Sequence, residues 1–205
     1  MWCNLKKTIY FDFDGTLYDS DNFMKQFLNL CQKYKISEEK VHILEKEIFT
    51  ETKLFNLDEL VIHLKKRYSL PEEFQEEVEK LYSEKNIYSD VCLALSKIKE
   101  SKKYDIVILT YGNIKYQQKK ISNCDILDYI KEVILTEKKK NTINNIDYEN
   151  SIFIDNHPEQ IKVLKTRTNN VIRIRRTTDK YSNINTEIEV KEYNDLITLV
   201  EKELL

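Results

Sequence analysis

A chain of 205 residues with a formal net charge of −2 carries no bulk positive charge that would draw it to nucleic acid or to an acidic membrane surface. Hydrophobic residues make up 41% of the chain and charged residues 33%, and no apolar run approaches the roughly 20 residues that span a bilayer. The opening residues, MWCNLKK, lack the apolar segment of a secretory signal, so we expect a cytoplasmic globular protein with neither nucleic acid nor membrane as a partner.

The first predicted strand, KTIYFDFD, is a nearly continuous apolar run that leads into Asp12 and Asp14. Residues two apart on a strand begin on the same face, so these two carboxylates lie close together and repel each other. Such a pair is tolerated when a cation neutralises it or when one member holds a proton. The run DFDGT therefore predicts a divalent metal, acid–base chemistry or both, in preference to an ordinary Asp-Gly turn.

The next stretch, residues 19–88, shows helical spacing of apolar residues in four successive segments. We predict four amphipathic helices that form a cap domain, inserted into a core domain of residues 1–18 and 89–205. The aromatic residues of these helices are expected to pack in a core rather than to contact a substrate.

Four further β-branched runs follow, YDIVILT, EVILT, SIFID and NVIRIR, with helical spacing near 90–101, 114–123, 158–166 and 193–204. Near-continuous apolar strands that alternate with helices are typical of a parallel sheet covered on both faces. We therefore predict the α/β class, as a Rossmann-like three-layer domain with the helical cap inserted. The arginines of the last run, Arg173 to Arg176, are expected to be solvated on a final strand, because a nucleic-acid site would need a broader basic face.

Chemistry-bearing residues follow three of these strands. Thr110, Tyr111 and Gly112 end the second strand, and a hydroxyl beside free backbone N–H groups at a helix start can hold an anion. Gly112 and Gly15 are the only glycines of the chain, and both follow predicted strands, where ligand loops lie in α/β proteins. Asp155 ends SIFID and offers a third carboxylate to an oxygen-preferring metal.

A run of three lysines, Lys138, Lys139 and Lys140, follows EVILT, and one of them could act as a point charge on a phosphate. We favour Lys140, because KNTI begins the next helical stretch, but Lys139 and Lys138 stay open. His157, beside Asp155, is expected to be an exposed loop residue rather than a substrate contact.

At these residues the chain resembles the haloacid dehalogenase superfamily, whose four motifs match DFDGT, Thr110, a lysine and the Asp155 of FIDNHPEQ. The resemblance implies a phosphatase in which Asp12 is the nucleophile and Asp14 the general acid and base. It implies Mg²⁺ bound by Asp12, the main-chain carbonyl of Asp14 and Asp155. Thr110 and the lysine are implied to hold the phosphoryl oxygens, surrounded by further residues of the first two motifs: Gly15, Thr16, Tyr111 and Gly112.

One departure from the superfamily pattern concerns the metal. Many relatives carry a second acid directly after the fourth-motif aspartate, whereas this chain has Asn156. An amide adds no charge, so we expect Asn156 or Glu159 to contribute through water, with lower metal affinity unless Glu159 compensates.

The resemblance predicts a small phosphorylated metabolite as substrate, without identifying it or the oligomeric state. Dehalogenases of the superfamily lack the second aspartate as acid–base carrier, so Asp14 argues against that chemistry. A phosphomutase or phosphotransferase would keep the same residues, and a catalytically silent binding or regulatory domain is the alternative from another class. The cysteines, Cys3, Cys31, Cys92 and Cys124, form no CxxC pair and favour reduced thiols.

Overall fold

The computed structural model describes residues 6–52, 54–83, 86–138 and 140–205, and these ranges confirm an α/β fold built on a six-stranded parallel sheet. The order across the sheet is β3-β2-β1-β4-β5-β6. The chain moves outward from β1 to β3 and then returns to the other side of β1, which places the topological switch between β1 and β4. The strands are β1 (Lys7–Phe11), β2 (Tyr104–Tyr111), β3 (Glu132–Thr136), β4 (Ser151–Asp155), β5 (Val171–Ile174) and β6 (Lys191–Tyr193).

Helices cover both faces of the sheet, so its central strands are apolar on both sides. Ile9 and Phe11 of β1 belong to the larger buried cluster, together with α5 (Val91–Ser101) and α8 (Leu196–Leu199), whereas Tyr10 packs in a smaller cluster with α7 (Pro158–Lys165). This alternation produces three layers and explains the near-continuous apolar runs. The helices are α1 (Ser20–Lys33), α2 (Glu38–Thr52), α3 (Leu57–Tyr68), α4 (Glu72–Ser83), α5 (Val91–Ser101), α6 (Ile114–Ser122), α7 (Pro158–Lys165) and α8 (Leu196–Leu199), which continues as a π-helix over Val200–Leu204.

The four helices α1 to α4 follow β1, in the segment where helical spacing predicted them. α1 packs against α2 and α4, and α2 packs against α3. Their apolar residues, including Phe23, Val61 and Phe74, belong to the same buried cluster as one face of the sheet. The helical segment is therefore packed continuously onto the sheet, rather than around an isolated core.

The chain enters and leaves this helical segment at one place. Tyr18 forms an antiparallel bridge with Ile87, and the backbone N–H of Asp19 donates to the carbonyl of Asn86 at 2.7 Å. The two connections thus run side by side at the carboxyl end of β1.

The prediction of a final strand with solvated arginines is wrong on both counts. A sixth strand, β6, follows β5, and the side chains of Arg173 and Arg176 are buried. Arg173 donates to the carbonyls of Asn156 and Tyr181, at 3.3 and 2.7 Å. Arg176 donates to the carbonyl of Thr16 at 2.8 Å. Both guanidinium groups are buried because they hold loops at the carboxyl edge of the sheet, where backbone carbonyls need donors.

No helix in the described ranges is long and apolar enough to cross a membrane. Cys31, Cys92 and Cys124 are free thiols, and Cys3 lies outside the described residues.

Candidate active site

A cavity of about 530 Å³ opens at the carboxyl ends of β1, β2 and β4. Asp12, Thr110 and Asp155, which end or follow these three adjacent strands, all line it. The strands are in register there, and the N–H of Asp12 donates to the carbonyl of Ile154 at 2.8 Å. Parallel pairing thus brings together residues that lie more than 140 positions apart between the first and the last motif.

Lys140 connects the two strand-end carboxylates. Its Nζ lies 2.6 Å from Asp12 Oδ1 and 2.6 Å from Asp155 Oδ2, and its side chain is only 2% exposed. The hydroxyl of Tyr148 donates to the main-chain carbonyl of Lys140 at 2.6 Å and anchors the single 3₁₀ turn of Lys140–Thr142. Of the three candidate lysines, the structure brings Lys140 into the site. Lys138 does not line the cavity, and Lys139 lies outside the described residues.

The Asp12–Lys140–Asp155 group is buried, and its electrostatics follow from that burial. Burial raises the pKa of Asp12, and the neighbouring charge of Asp155 adds to the rise, while Lys140 opposes it. Burial also disfavours the ammonium of Lys140, but the two carboxylates outweigh this and raise its pKa. The lysine is therefore a fixed positive charge in a site with two carboxylates.

Asp14 lies in a second polar group, whose other members were not predicted from the sequence. Gln117 Nε2 donates to Asp14 Oδ2 at 2.6 Å, Ser20 Oγ donates to Oδ1 at 3.0 Å, and the ammonium of Lys120 forms an ion pair with Oδ1. Lys120 is 2% exposed, and its ammonium lies 4.5 Å from the ring centroid of Tyr116. Burial raises the pKa of Asp14, but these three donors outweigh it, so that the pKa is lowered overall.

A sequence signal for Lys120 existed. The buried positions of α6 are Tyr116, Gln117, Lys120 and Ile121, which is the i, i+1, i+4, i+5 face of a helix. Two polar residues on such a face indicate buried partners, because unpaired polar groups are costly there.

The residues of the predicted anion cradle lie at the end of β2, but the N–H of Gly112 donates to the carbonyl of Thr136 at 2.9 Å and is not free, as the cradle required. Thr110 is 1% exposed and lines the cavity with Tyr111 and Gly112. The side chain of Asn113 accepts a hydrogen bond from the N–H of Tyr116 at 3.1 Å and thereby caps α6. The start of α6 is therefore built beside the three carboxylates.

Gly15 and Thr16, in the turn after β1, were both expected beside a phosphate, but only Gly15 lines the cavity. Gly15 lines the cavity with φ of +73°, and a Cβ there would lie 2.1 Å from Asn156 Nδ2. Thr16 is fully buried and does not line the cavity, because its carbonyl faces Arg176 inside the protein. Its predicted contact with the phosphate is not supported by this arrangement.

The loop after β4 corrects two further expectations. The side chain of Glu159 is 67% exposed and pairs with Lys162 at 3.1 Å, so it does not line the cavity. His157 is half-buried, lines the cavity and packs against Tyr181 with ring centroids 4.2 Å apart and the rings tilted by 51°. Burial lowers the pKa of His157, which favours the neutral ring.

Asn156 instead contacts an acid that the sequence did not single out. Its Nδ2 donates to Asp179 Oδ2 at 2.6 Å, and both residues are buried in the cavity wall. Burial raises the pKa of Asp179, and its hydrogen bonds from Asn156 and Tyr181 oppose the rise. Asp179 lies beyond β5, where nothing in the sequence connects it with the fourth motif.

The donor set fits a hard divalent cation. Asp12 and Asp155 both contact one Lys140 Nζ, so their carboxylates converge on one small volume, and Asn156 adds an amide beside them. Oxygen donors of this kind suit Mg²⁺. Within the described ranges, no third Asp, Glu, His or Cys side chain joins them as a direct ligand. The remaining positions would fall to amide, main-chain or water oxygens.

The sequence model of the haloacid dehalogenase-like hydrolases matches residues 6–167, and the chain belongs to this family. Curated proteins, by contrast, include none that matches the sequence. Solved structures share the fold over nearly the whole chain. The HAD phosphatase from Thermococcus onnurineus superposes with a TM-score of 0.64, at 20% identity, and 95% of this chain and 96% of that chain are covered.

Two other solved structures show how widely the fold is used. YfnB from Bacillus subtilis, a HAD-hydrolase bound to magnesium, has a TM-score of 0.62 and 16% identity, with 96% and 97% of the two chains covered. The L-2-haloacid dehalogenase from Xanthobacter autotrophicus has a TM-score of 0.64 and 13% identity, with 98% and 100% covered. At such identities the likeness establishes the fold, so the reaction has to be argued from the site.

Proposed function

We propose that this hydrolase is a magnesium-dependent phosphatase that acts on a small phosphorylated metabolite through an aspartyl-phosphate on Asp12. The observation that carries the proposal is the buried Asp12–Lys140–Asp155 group with Asp14 beside it. A nucleophilic carboxylate and a phosphate monoester are both anionic, so they approach each other only where positive charge offsets the repulsion. Asp14 favours phosphatase over dehalogenase chemistry, because a phosphate ester needs a proton carrier for its leaving oxygen.

The reaction follows in two displacements. Asp12 Oδ attacks phosphorus, the bond to the ester oxygen breaks, and Asp14 gives that oxygen a proton. Asp14 then accepts a proton from a water that attacks the phosphorus, which releases inorganic phosphate and restores the Asp12 carboxylate. Thr110 holds the phosphoryl oxygens, with Lys140 as the fixed positive charge. The N–H of Gly112 is not available for this role, because it donates to the carbonyl of Thr136 at 2.9 Å.

Mg²⁺, when bound, neutralises negative charge on the phosphoryl group and orients it for in-line attack. Asp12, Asp155 and the main-chain carbonyl of Asp14 would hold it, with Asn156 nearby. The two carboxylates are the part of this set that the buried contacts with Lys140 bring together.

We assign residues 19–88 to a cap and residues 1–18 and 89–205 to the core. Paired connections at Tyr18 and Ile87 support this division, since the chain enters and leaves the four helices at one place. The helical segment contributes apolar side chains to the cavity, namely Met24, Phe49, Leu54 and Phe55. Phe49 of α2 is 52% exposed there, so the expectation that the aromatic residues of these helices pack in a core is wrong for this residue. This lining supports a leaving group with an apolar face, because burying such a face there removes it from water.

The decisive experiment is phosphate release from a panel of phosphorylated metabolites, with Mg²⁺ and with a chelator. We expect release from at least one ester, and we expect the chelator to abolish it. Release of halide from a haloacid without phosphate release, or no turnover of any ester by the folded protein with Mg²⁺, would overturn the proposal. Transfer of the phosphoryl group to a second hydroxyl instead of water would identify a mutase or transferase.

Replacing Phe55 tests the apolar lining. Its ring packs edge-on against Tyr116, with centroids 5.4 Å apart, at the border between helical segment and sheet domain. Phe55→Ala should lower kcat/KM for the best metabolite on the order of 10-fold, mainly through KM, and should change a small polar ester much less. Ile62→Ala, an exposed apolar residue of α3 outside the cavity lining, is the matched control. Equal losses for both substrates would contradict an apolar leaving-group subsite.

A further inference from the structure

The loop after β4 brings no negative charge to the cavity beyond that of Asp155. Asn156 follows Asp155 directly and has an amide at the position where many members of the superfamily carry a second acid. Glu159, the acid one helical turn later, is turned to solvent and paired with Lys162. Neither residue of the loop therefore supplies the missing negative charge to the cavity.

Asp179 reaches the same place from the segment after β5. It is 5% exposed and lines the cavity. Its Oδ2 accepts from Asn156 Nδ2 at 2.6 Å, and its Oδ1 accepts from the N–H of Tyr181 at 3.1 Å. Both oxygens thus act as acceptors of N–H groups, which is the pattern of a carboxylate.

The contact orients the amide of Asn156. Because Nδ2 is committed to Asp179, Oδ1 is the end left to accept from a metal-bound water or to contact a cation. Arg173 donates to the carbonyl of Asn156 and to the carbonyl of Tyr181, whose own N–H donates to Asp179. Gly15 packs against the pair so closely that a Cβ would lie 3.2 Å from Asp179 Oδ2. The pair is therefore a buried, braced unit between the first motif and the fourth.

We propose that Asp179 is a positioning residue of the magnesium site, which orients Asn156 and supplies through it the negative charge that the fourth motif lacks. This inference rests on the proposed magnesium-dependent function. Asp179 acts through Asn156 rather than as a ligand, because the described residues hold no third acidic ligand beside Asp12 and Asp155. Partners that orient the ligands of a metal commonly change its affinity as strongly as some ligands do.

The test is calorimetric titration of Mg²⁺ into the 205-residue chain without substrate, at one pH. Asp179→Asn should raise the Kd for Mg²⁺ about 10- to 100-fold, because it removes the charge and leaves the new NH₂ group facing one of the two N–H donors, Asn156 Nδ2 or the N–H of Tyr181. Glu159→Gln, the rival acid, should leave the Kd within error of the wild type. A Kd unchanged by Asp179→Asn, or raised equally by Glu159→Gln, would overturn the inference.

A swapped pair separates positioning from mere structural support. Combining Asp179→Asn with Asn156→Asp exchanges carboxylate and amide across the 2.6 Å contact, so the hydrogen bond and the total charge return. The double variant should bind Mg²⁺ with a Kd no higher than that of the wild type. If the folded double variant still has the raised Kd of Asp179→Asn, the inference is contradicted. If the wild type does not bind Mg²⁺, the proposed function itself is contradicted. Failure of the proposed function and failure of the inference about Asp179 therefore give different results.

Discussion

Asp12→Asn should abolish turnover while the protein stays folded. An amide oxygen is a poor nucleophile and cannot form the aspartyl-phosphate, so the first displacement has no substitute. Burial and the charge of Asp155 both oppose ionised Asp12, so the neutral amide removes an unfavourable term, and Lys140 keeps Asp155 as a partner. We therefore expect kcat below detection with a melting temperature no lower than that of the wild type.

Steady-state phosphate release and thermal melting of the same preparation measure both halves of this prediction. Asp105→Asn is the matched control, because Asp105 lies at the opposite end of β2 and pairs with Lys131 on the surface. Asp12→Ala guards against deamidation that would regenerate the acid. Wild-type turnover by folded Asp12→Ala would exclude Asp12 as the nucleophile.

The sheet and the positions of the motifs could be predicted because their signals are local. β1, β2, β3 and β4 are each an unbroken apolar run, and Asp12, Thr110 and Asp155 lie at or beside the ends of three of them. Parallel strands align their carboxyl ends, so knowledge of the strands suffices to bring these residues together. Lys140 could be favoured for the same reason, since it opens a helical turn directly after β3.

The pattern of α6 can indicate that Lys120 is buried, but no local pattern encodes the partners of the remaining site residues. Lys120 binds a carboxylate 106 positions away, and Arg176 binds a carbonyl 160 positions away. Basic side chains are usually solvated, and burial of Lys120 and Arg176 is favourable only because their partners are already in place. β6 escaped prediction because KEY has three residues and no apolar run. Asp179 likewise depends on a loop conformation that Arg173 holds.

Asp14→Asn should lower kcat by roughly 10²- to 10⁴-fold for an alkyl phosphate, the usual contribution of a positioned general acid and base. The fold should tolerate the change. An amide oxygen can still accept from Lys120, and the amide of Gln117 can turn to offer its buried, unpartnered Oε1 to the new donor. Stopped assays of phosphate release, again with Asp105→Asn as the control, measure the loss.

The leaving group decides how that loss is distributed between the two steps. A nitrophenyl phosphate releases a stable anion that needs no proton, so the first displacement should survive in Asp14→Asn while the water-dependent second step stays slow. The variant should then release one equivalent of nitrophenol in a burst and retain a phosphoryl group on Asp12, visible in the intact mass. In the wild type, Asp14 serves both steps by changing its protonation state. The negative charge of the incoming phosphate favours the protonated form, which the first step requires. The ammonium of Lys120 favours the carboxylate form, which activates water in the second step. Equal loss for alkyl and nitrophenyl esters, with no burst, would mean that Asp14 positions the substrate and does not carry the proton.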